Sequence, residues 1–199
     1  MKQKKISLTL VLVVIFATLL VGQSPTVGTS VQGDFDGDGI KEFAFAVKIK
    51  EGKGNPVDGG TADEYSINFS TTKLKSIKVG CCNTRLINEA DLNGDGRDEI
   101  TVYQAPMNGN TYSMTTYTFA NGAWKVLIET FLIPTGGDYL SDEDLQKRIF
   151  KEDGYVYYYD VDVNDENFKL IKTKKDTCMV FIESIACDEH FCCIRPMKY

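Results

Sequence analysis

Downstream of Gly22 the apolar and polar positions alternate with a period of two, the signature of half-buried strands. In EFAFAVKIK (42–50), Phe43, Phe45, Val47 and Ile49 share one face, and in EYSINFS (64–70) Tyr65, Ile67 and Phe69 do the same. LKSIKVG follows after a short polar break. The Gly- and Pro-rich stretch EGKGNPVDGG between the first two reads as a loop with nothing to pack. EITVYQA, TYSMTTYTF and AWKVLIETFLI continue the pattern, the last two joined by the turn Ala-Asn-Gly. GYVYYYDVDV and FKLIKTKK flank NDEN as a hairpin, and TCMVFIES predicts one more strand. Only SDEDLQKRIF breaks the period. There Leu145 and Ile149 are four apart, acids fill the first turn, and Ser141 is placed to cap a short helix.

The pattern also repeats at long range. DFDGDGIKE (34–42) and DLNGDGRDE (91–99) lie 57 residues apart, and each leads into a strand. Counted from the first Asp, the tenth and twelfth positions are apolar in both copies: Phe43 and Phe45, then Ile100 and Val102. The repeat therefore includes the strand leaving the turn. A unit of this length with four short antiparallel strands is close to one propeller blade. This predicts an all-β fold of antiparallel, four-stranded, propeller-blade-like sheets, two clear and a third irregular, with one short helix. The repeats are expected at about 27–80 and 85–133, inside a single domain spanning 23–199 whose cysteine-rich C-terminal region covers 134–199.

The N-terminus is of another kind. MKQKK is a basic head, ISLTLVLVVIFATLLV (6–21) an uncharged apolar run, and GQSPTVGTS a small, polar tail. That order reads as a secretory signal over 1–22, the run being short for a membrane span. An uncleaved anchor is the alternative. The net charge of −6 falls by three, to −9, once Lys2, Lys4 and Lys5 are removed. So acidic a chain opposes nucleic acid and anionic membranes as partners and suits cations or basic surfaces. Whether secreted, periplasmic or held at the cell surface, an exported chain meets an oxidising compartment. Cys81, Cys82, Cys178, Cys187, Cys192 and Cys193 are therefore expected in disulfides. Adjacent residues of an extended chain point to opposite faces. That predicts no bond between Cys81 and Cys82, with at least one of them reaching the C-terminal cluster.

Each acidic turn carries side-chain oxygens at its first, third, fifth and ninth positions and Gly at its sixth. This is a donor set for a hard divalent cation: calcium takes about six to eight oxygens at about 2.3–2.6 Å. In the first turn the candidate ligands are the carboxylates of Asp34, Asp36, Asp38 and Glu42, with the Ile40 carbonyl. In the second they are Asp91, Asn93, Asp95 and Glu99, with the Arg97 carbonyl. Gly39 and Gly96 take the bend. Carboxylates about 5 Å apart repel by about 3 kcal/mol per pair at an effective dielectric near 20. An empty first turn is thus expected to be strained, and the second, with Asn93, less so. A helical calcium hand needs its closing acid at the twelfth position, where this chain has Phe45 and Val102, and is excluded. The plain alternative is a metal-free connector, since Asp and Gly suit tight turns by themselves.

The spacing Asp-x-Asp/Asn-x-Asp-Gly-x-x-acid, leading into an apolar strand, resembles the calcium loop of integrin α-chain-type propeller repeats, the FG-GAP or VCBS-type family. Gln104-Ala105-Pro106 stands where that family has Gly-Ala-Pro. The resemblance implies two structural calcium ions, each between the first and second strands of a blade, and a role in adhesion or recognition.

Little else in the sequence carries chemistry. CDEHFCC (187–193) reads as disulfide cysteines, with a zinc site as the alternative. His190 is the only histidine, and there is no nucleophile motif or phosphate loop, so no catalytic residue and no organic cofactor is expected. Asn68 fits a glycosylation sequon inside a predicted strand. Of Tyr155, Tyr157, Tyr158 and Tyr159, one face is expected in the core and the other outside, while Trp124 is expected as a core anchor. The expected function is that of an exported calcium-binding protein with a non-enzymatic binding, adhesion or scaffolding role toward a protein or carbohydrate ligand. The alternatives are a secreted hydrolase acting on carbohydrate, and a subunit whose incomplete blade set is completed by self-association.

Overall fold

A computed structural model of the chain describes residues 27–162 and 164–175. The segment expected to be a signal, the strand expected in TCMVFIES, Cys178, Cys187, Cys192, Cys193 and His190 lie outside the described residues. The architecture is all-β. The first repeat forms a four-stranded antiparallel meander of β2 (Ser30–Gly33), β3 (Glu42–Lys50), β4 (Glu64–Phe69) and β5 (Ile77–Gly80). The second forms another of β6 (Thr84–Asn88), β7 (Ile100–Gln104), β8 (Thr111–Ala120) and β9 (Ala123–Pro134). The two-residue strand β1 (Val27–Gly28) adds to its β6 edge. A third sheet holds three antiparallel strands, β10 (Ile149–Glu152), β11 (Tyr155–Val161) and β12 (Leu170–Lys174). None of the sheets closes on itself. Among the described residues the one α-helix, α1 (Asp142–Gln146), starts where the sequence placed its cap: the Ser141 hydroxyl accepts the Asp144 N–H at 3.1 Å. The loop expected to pack nothing contains a short 3-10 turn at Pro56–Asp58.

The sheets stack as layers with two cores between them. Val31, Phe35, Ala44 and Ile67 of the first repeat meet Leu86, Ile100, Val102 and Phe119 of the second. Trp124 packs there too, stacked on Phe69 at 4.9 Å, with its indole N–H donating to the Lys75 carbonyl at 2.8 Å. On the far side of the second sheet, Ile87, Tyr103, Met114, Ile128 and Phe131 meet Leu145 of α1 with Ile149 and Val156 of the third sheet. The middle sheet is therefore covered on both faces, and Ile100, Thr101, Val102 and Tyr103 are all buried.

This layering separates the two copies of the strand that leaves the acidic turn. Ile100 and Val102 are core, whereas Phe43 is 51 % exposed and Ile49 47 %. The period of two explains it. Glu42 turns inward to close its loop, so Ala44 follows it into the core and the Phe43 face looks out. The tyrosine run divides as the alternation requires. Val156 and Tyr158 pack on the second core, and Phe150 and Lys172 line up with Tyr157 on the other face.

The cysteine expectation is corrected. Cys81 and Cys82 are bonded to each other. The chain is not extended there: it turns between β5 and β6, the Cys81–Cys82 peptide is cis, and the two Cα atoms are 3.2 Å apart. The opposite-face argument does not apply to such a turn, and neither sulfur is left to reach the C-terminal cluster.

Candidate metal centre

The first loop joins β2 to β3 and is built by its own carboxylates. Asp34 accepts the N–H groups of Gly37 and Gly39, each at 2.9 Å. Asp36 accepts from Asp38 at 3.1 Å and Asp38 from Ile40 at 2.9 Å. Glu42 reaches back to the Phe35 N–H at 3.0 Å, while the Phe35 ring anchors the loop in the first core. Gly37 and Gly39 both adopt positive φ, at +77° and +83°, where a side chain would be strained. Wound this way, the loop brings one oxygen each from Asp34, Asp36, Asp38 and Glu42 within 4.8 Å of one another. Oxygens on opposite sides of a hard divalent cation such as calcium are about 5 Å apart, twice the metal–oxygen distance, so a cluster of this spread could hold a metal ion.

A cation from the protein already leans over the cluster. The Lys73 ammonium is 2.5 Å from Asp38 and 3.4 Å from Asp36, and its side chain is 61 % exposed. The Lys73 hydrogen bond, helped by the Ile40 N–H, holds the Asp38 carboxyl below its ordinary range. Glu42 moves the other way. Burial raises its pKa, the Phe35 N–H opposes this, and the charges of Asp36, Asp34 and Asp38 add to the rise.

The second loop joins β6 to β7 with the same backbone hydrogen bonds. Asp91 accepts from Gly94 at 2.6 Å and Gly96 at 3.0 Å, Asn93 from Asp95 at 2.8 Å, and Asp95 from Arg97 at 3.0 Å. Glu99 accepts from Leu92 at 2.7 Å, and Leu92 anchors this loop in the second core. The interior differs. Asn93 Oδ1 is taken by the Asp95 N–H, so the amide turns its Nδ2 inward, donating to Glu99 at 2.7 Å and Thr118 at 3.1 Å. Arg97 lies 3.3 Å from Asp95. Among the described residues, Asp91, Asp95 and Glu99 form no convergent carboxylate group like that of the first loop. Glu99 is fully buried and its pKa is pushed up to about 8, chiefly by burial, against hydrogen bonds from Thr118, Leu92 and Asn93. Ile40 and Arg97, expected to offer carbonyls, give their N–H groups to Asp38 and Asp95.

The loops also touch each other. Asp98 accepts the Asp34 N–H at 3.0 Å and returns its own N–H to the Asp34 carbonyl at 2.9 Å, and Arg97 donates to the Asp36 carbonyl at 3.2 Å. Gly33 makes room for this contact. A Cβ there would lie 2.7 Å from Asn88 and 2.8 Å from Asp98.

Several contributors escaped the sequence reading. Gly37 and Gly94, at the fourth position of each turn, bend the chain as Gly39 and Gly96 do, and their repetition was a readable signal. The apolar second positions, Phe35 and Leu92, were equally readable. Lys73 and Asp98 carried no such signal, since the first comes from a distant stretch and the second stands where the first copy has Lys41. Glu89, just before the second loop, is buried as well. One of its oxygens has no hydrogen-bond partner, and burial pushes its pKa up to about 8, eased by Thr101 and reinforced by the Glu99 charge.

Compared with known proteins, the chain matches no family model, no curated protein and no solved structure. The resemblance to FG-GAP or VCBS-type repeats rests on the two loops and the strands that follow them.

Proposed function

We propose that the protein is exported and serves as a non-enzymatic binding or scaffolding module stabilised by calcium. The observation that carries this is the gathering of four carboxylates, from Asp34, Asp36, Asp38 and Glu42, into a space the size of one cation's coordination shell. The acidic net charge and the basic head with its apolar run support the setting. In this reading the first loop holds the tighter ion, joined by the Ile40 carbonyl, and the ion displaces the exposed Lys73 ammonium. The second loop is a weaker site, because an ion there must first break the Asn93–Glu99 hydrogen bond. The ion supplies fixed charge that ties β2 to β3; it has no reaction to catalyse.

Thermal unfolding of the mature chain in chelator and in calcium tests the proposal. Calcium raises the melting temperature, and titration calorimetry resolves one site clearly tighter than any other. Superimposable melting curves in chelator and in excess calcium would overturn it.

A further inference from the structure

Away from the acidic loops, a cavity of about 470 Å³ opens where the first two sheets meet, within the about 300–1,000 Å³ range of small-ligand sites. We infer that this cavity is a binding site for a neutral saccharide, held against tyrosine rings and hydrogen-bonded by Asn83, Arg85 and Asp138. The inference rests on the binding role proposed above but not on the ion, because none of the loop carboxylates lines the cavity.

The walls combine flat apolar surface with polar tips. Tyr65, Tyr103, Tyr112 and Tyr139 all line the cavity. Tyr112 stacks on Tyr103 with centroids 4.8 Å apart and planes 5° from parallel, which holds both rings rigid. Tyr103 is itself buried, with Arg85 also over its ring, so it backs Tyr112; a ring held in this way loses little entropy on binding and suits the C–H face of a sugar. Tyr139 is 79 % exposed. The Arg85 guanidinium sits 4.9 Å from its ring centroid, so one ring face is taken and the other is open.

The charge balance selects against an ionic ligand. Arg85 donates to the Leu140 carbonyl at 2.7 Å and is ion-paired with Asp142, so its charge is already answered. Asp138 places a carboxylate on the rim, exposed to solvent. An anion would meet Asp138 and gain little from a neutralised Arg85. A cation would find Asp138 alone, one solvent-exposed carboxylate that gives it little over water. What remains is a set of directional donors and acceptors on aromatic panels, which is what a hydroxyl-rich neutral ring requires. Asn83 is oriented for this: its Oδ1 accepts the Tyr65 hydroxyl at 3.2 Å, leaving its amide N–H groups as donors.

The test is titration of the mature protein, followed by NMR and calorimetry, with cellobiose, maltose, lactose and chitobiose, and with a uronic-acid disaccharide as the charged control. Tyr139→Ala and Asp138→Ala are the variants, both at exposed positions, with melting curves recorded for each. A neutral disaccharide should bind, and each variant should weaken it about tenfold, the loss expected for one stacking or charge-assisted contact. The melting temperatures should not move. Preference for the uronic acid, binding untouched by either variant, or no binding by any of these sugars would overturn the inference. Every titration is run in calcium and in chelator. A calcium-dependent melting shift without sugar binding sinks the cavity alone, and sugar binding without that shift sinks the ion alone.

Discussion

At the third position of the first loop, Asp36 holds an oxygen 3.4 Å from the Lys73 ammonium. At the matching position of the second, Asn93 turns an N–H onto Glu99 at 2.7 Å. Four turn-winding hydrogen bonds recur position for position around these two residues, and the second loop adds two more, from the Asn93 N–H to Glu99 and from the Asp95 N–H to Asp91. The turn itself therefore does not need a metal, because Asp and Asn side chains wind it in both copies. What differs is how the interior charge is answered. The first loop gathers four carboxylates and borrows an exposed lysine, whereas the second replaces one carboxylate by a donor and buries the closing acid against it. The two loops carry the same formal charge, and among the described residues it is the first that gathers four carboxylates into one ion-sized space.

The strongest way to break this comparison is to give the first loop the interior of the second. Asp36→Asn should abolish most of the calcium response. For wild type, calcium at a hundredfold excess over its dissociation constant contributes about 2.7 kcal/mol. At about 2–4 °C per kcal/mol for a chain of this size, that is a shift of about 5–10 °C. The variant should show little of it while melting in chelator no lower than wild type. An undiminished calcium shift in Asp36→Asn would place the ion elsewhere.

The reverse exchange comes next. Asn93→Asp removes the hydrogen bonds to Glu99 and Thr118 and sets a second carboxylate against a buried one. Losing the donor and adding like charge should cost about 2 kcal/mol in chelator. Calcium should then restore a large part of it, with a second tight site seen by calorimetry. If the variant is destabilised and calcium does not rescue it, the second loop is a connector only.

A third exchange concerns the residue before each loop. Glu89 stands where the first copy has Gln32, and one of its buried oxygens is unpartnered. With a pKa raised from 4.5 to about 8, the folded protein favours the protonated form. Its stabilising contribution is complete below about pH 4.5 and is lost as pH climbs toward 8. Glu89→Gln cannot titrate, so in chelator it should exceed wild type by about 1 kcal/mol at pH 8, with the gain fading by pH 5. Equal gains at the two pH values would mean that packing, not charge, sets the difference.

Much of this was legible in the sequence because it is local. The ligand spacing, the Asn121-Gly122 hairpin turn and the Ser141 cap each depend on residues within a few positions of one another. Alternation gave the strands but could not say which face meets another sheet. Phe43 and Ile100 hold equivalent positions, yet among the described residues only the second sheet has a layer on both sides. The same reason hid Lys73, which reaches the first loop from beyond β4, and the cavity, whose tyrosines come from three strands and the segment before α1. For Cys81 and Cys82 the general rule failed because it presumes an extended chain, and here the chain turns.

The gentlest probe is Lys73 itself. Its ammonium pairs with Asp36 and Asp38, where it would compete with the proposed ion, and being largely exposed it can swing aside at little cost. Lys73→Met keeps the length of the side chain and removes the charge. Two opposite changes should follow: a slightly lower melting temperature in chelator, because the carboxylates lose an ammonium partner, and calcium binding a few-fold tighter, because nothing has to leave. The calcium gain should vanish in the Asp36→Asn background, where the lysine has less to compete for. Arg97→Met offers the matched control in the second loop, since that guanidinium pairs with Asp95 but also braces the Asp36 carbonyl. Its loss should loosen the contact between the loops without tightening the first site. Tighter calcium binding in Arg97→Met, with none in Lys73→Met, would assign the better ion to the second loop and invert the comparison.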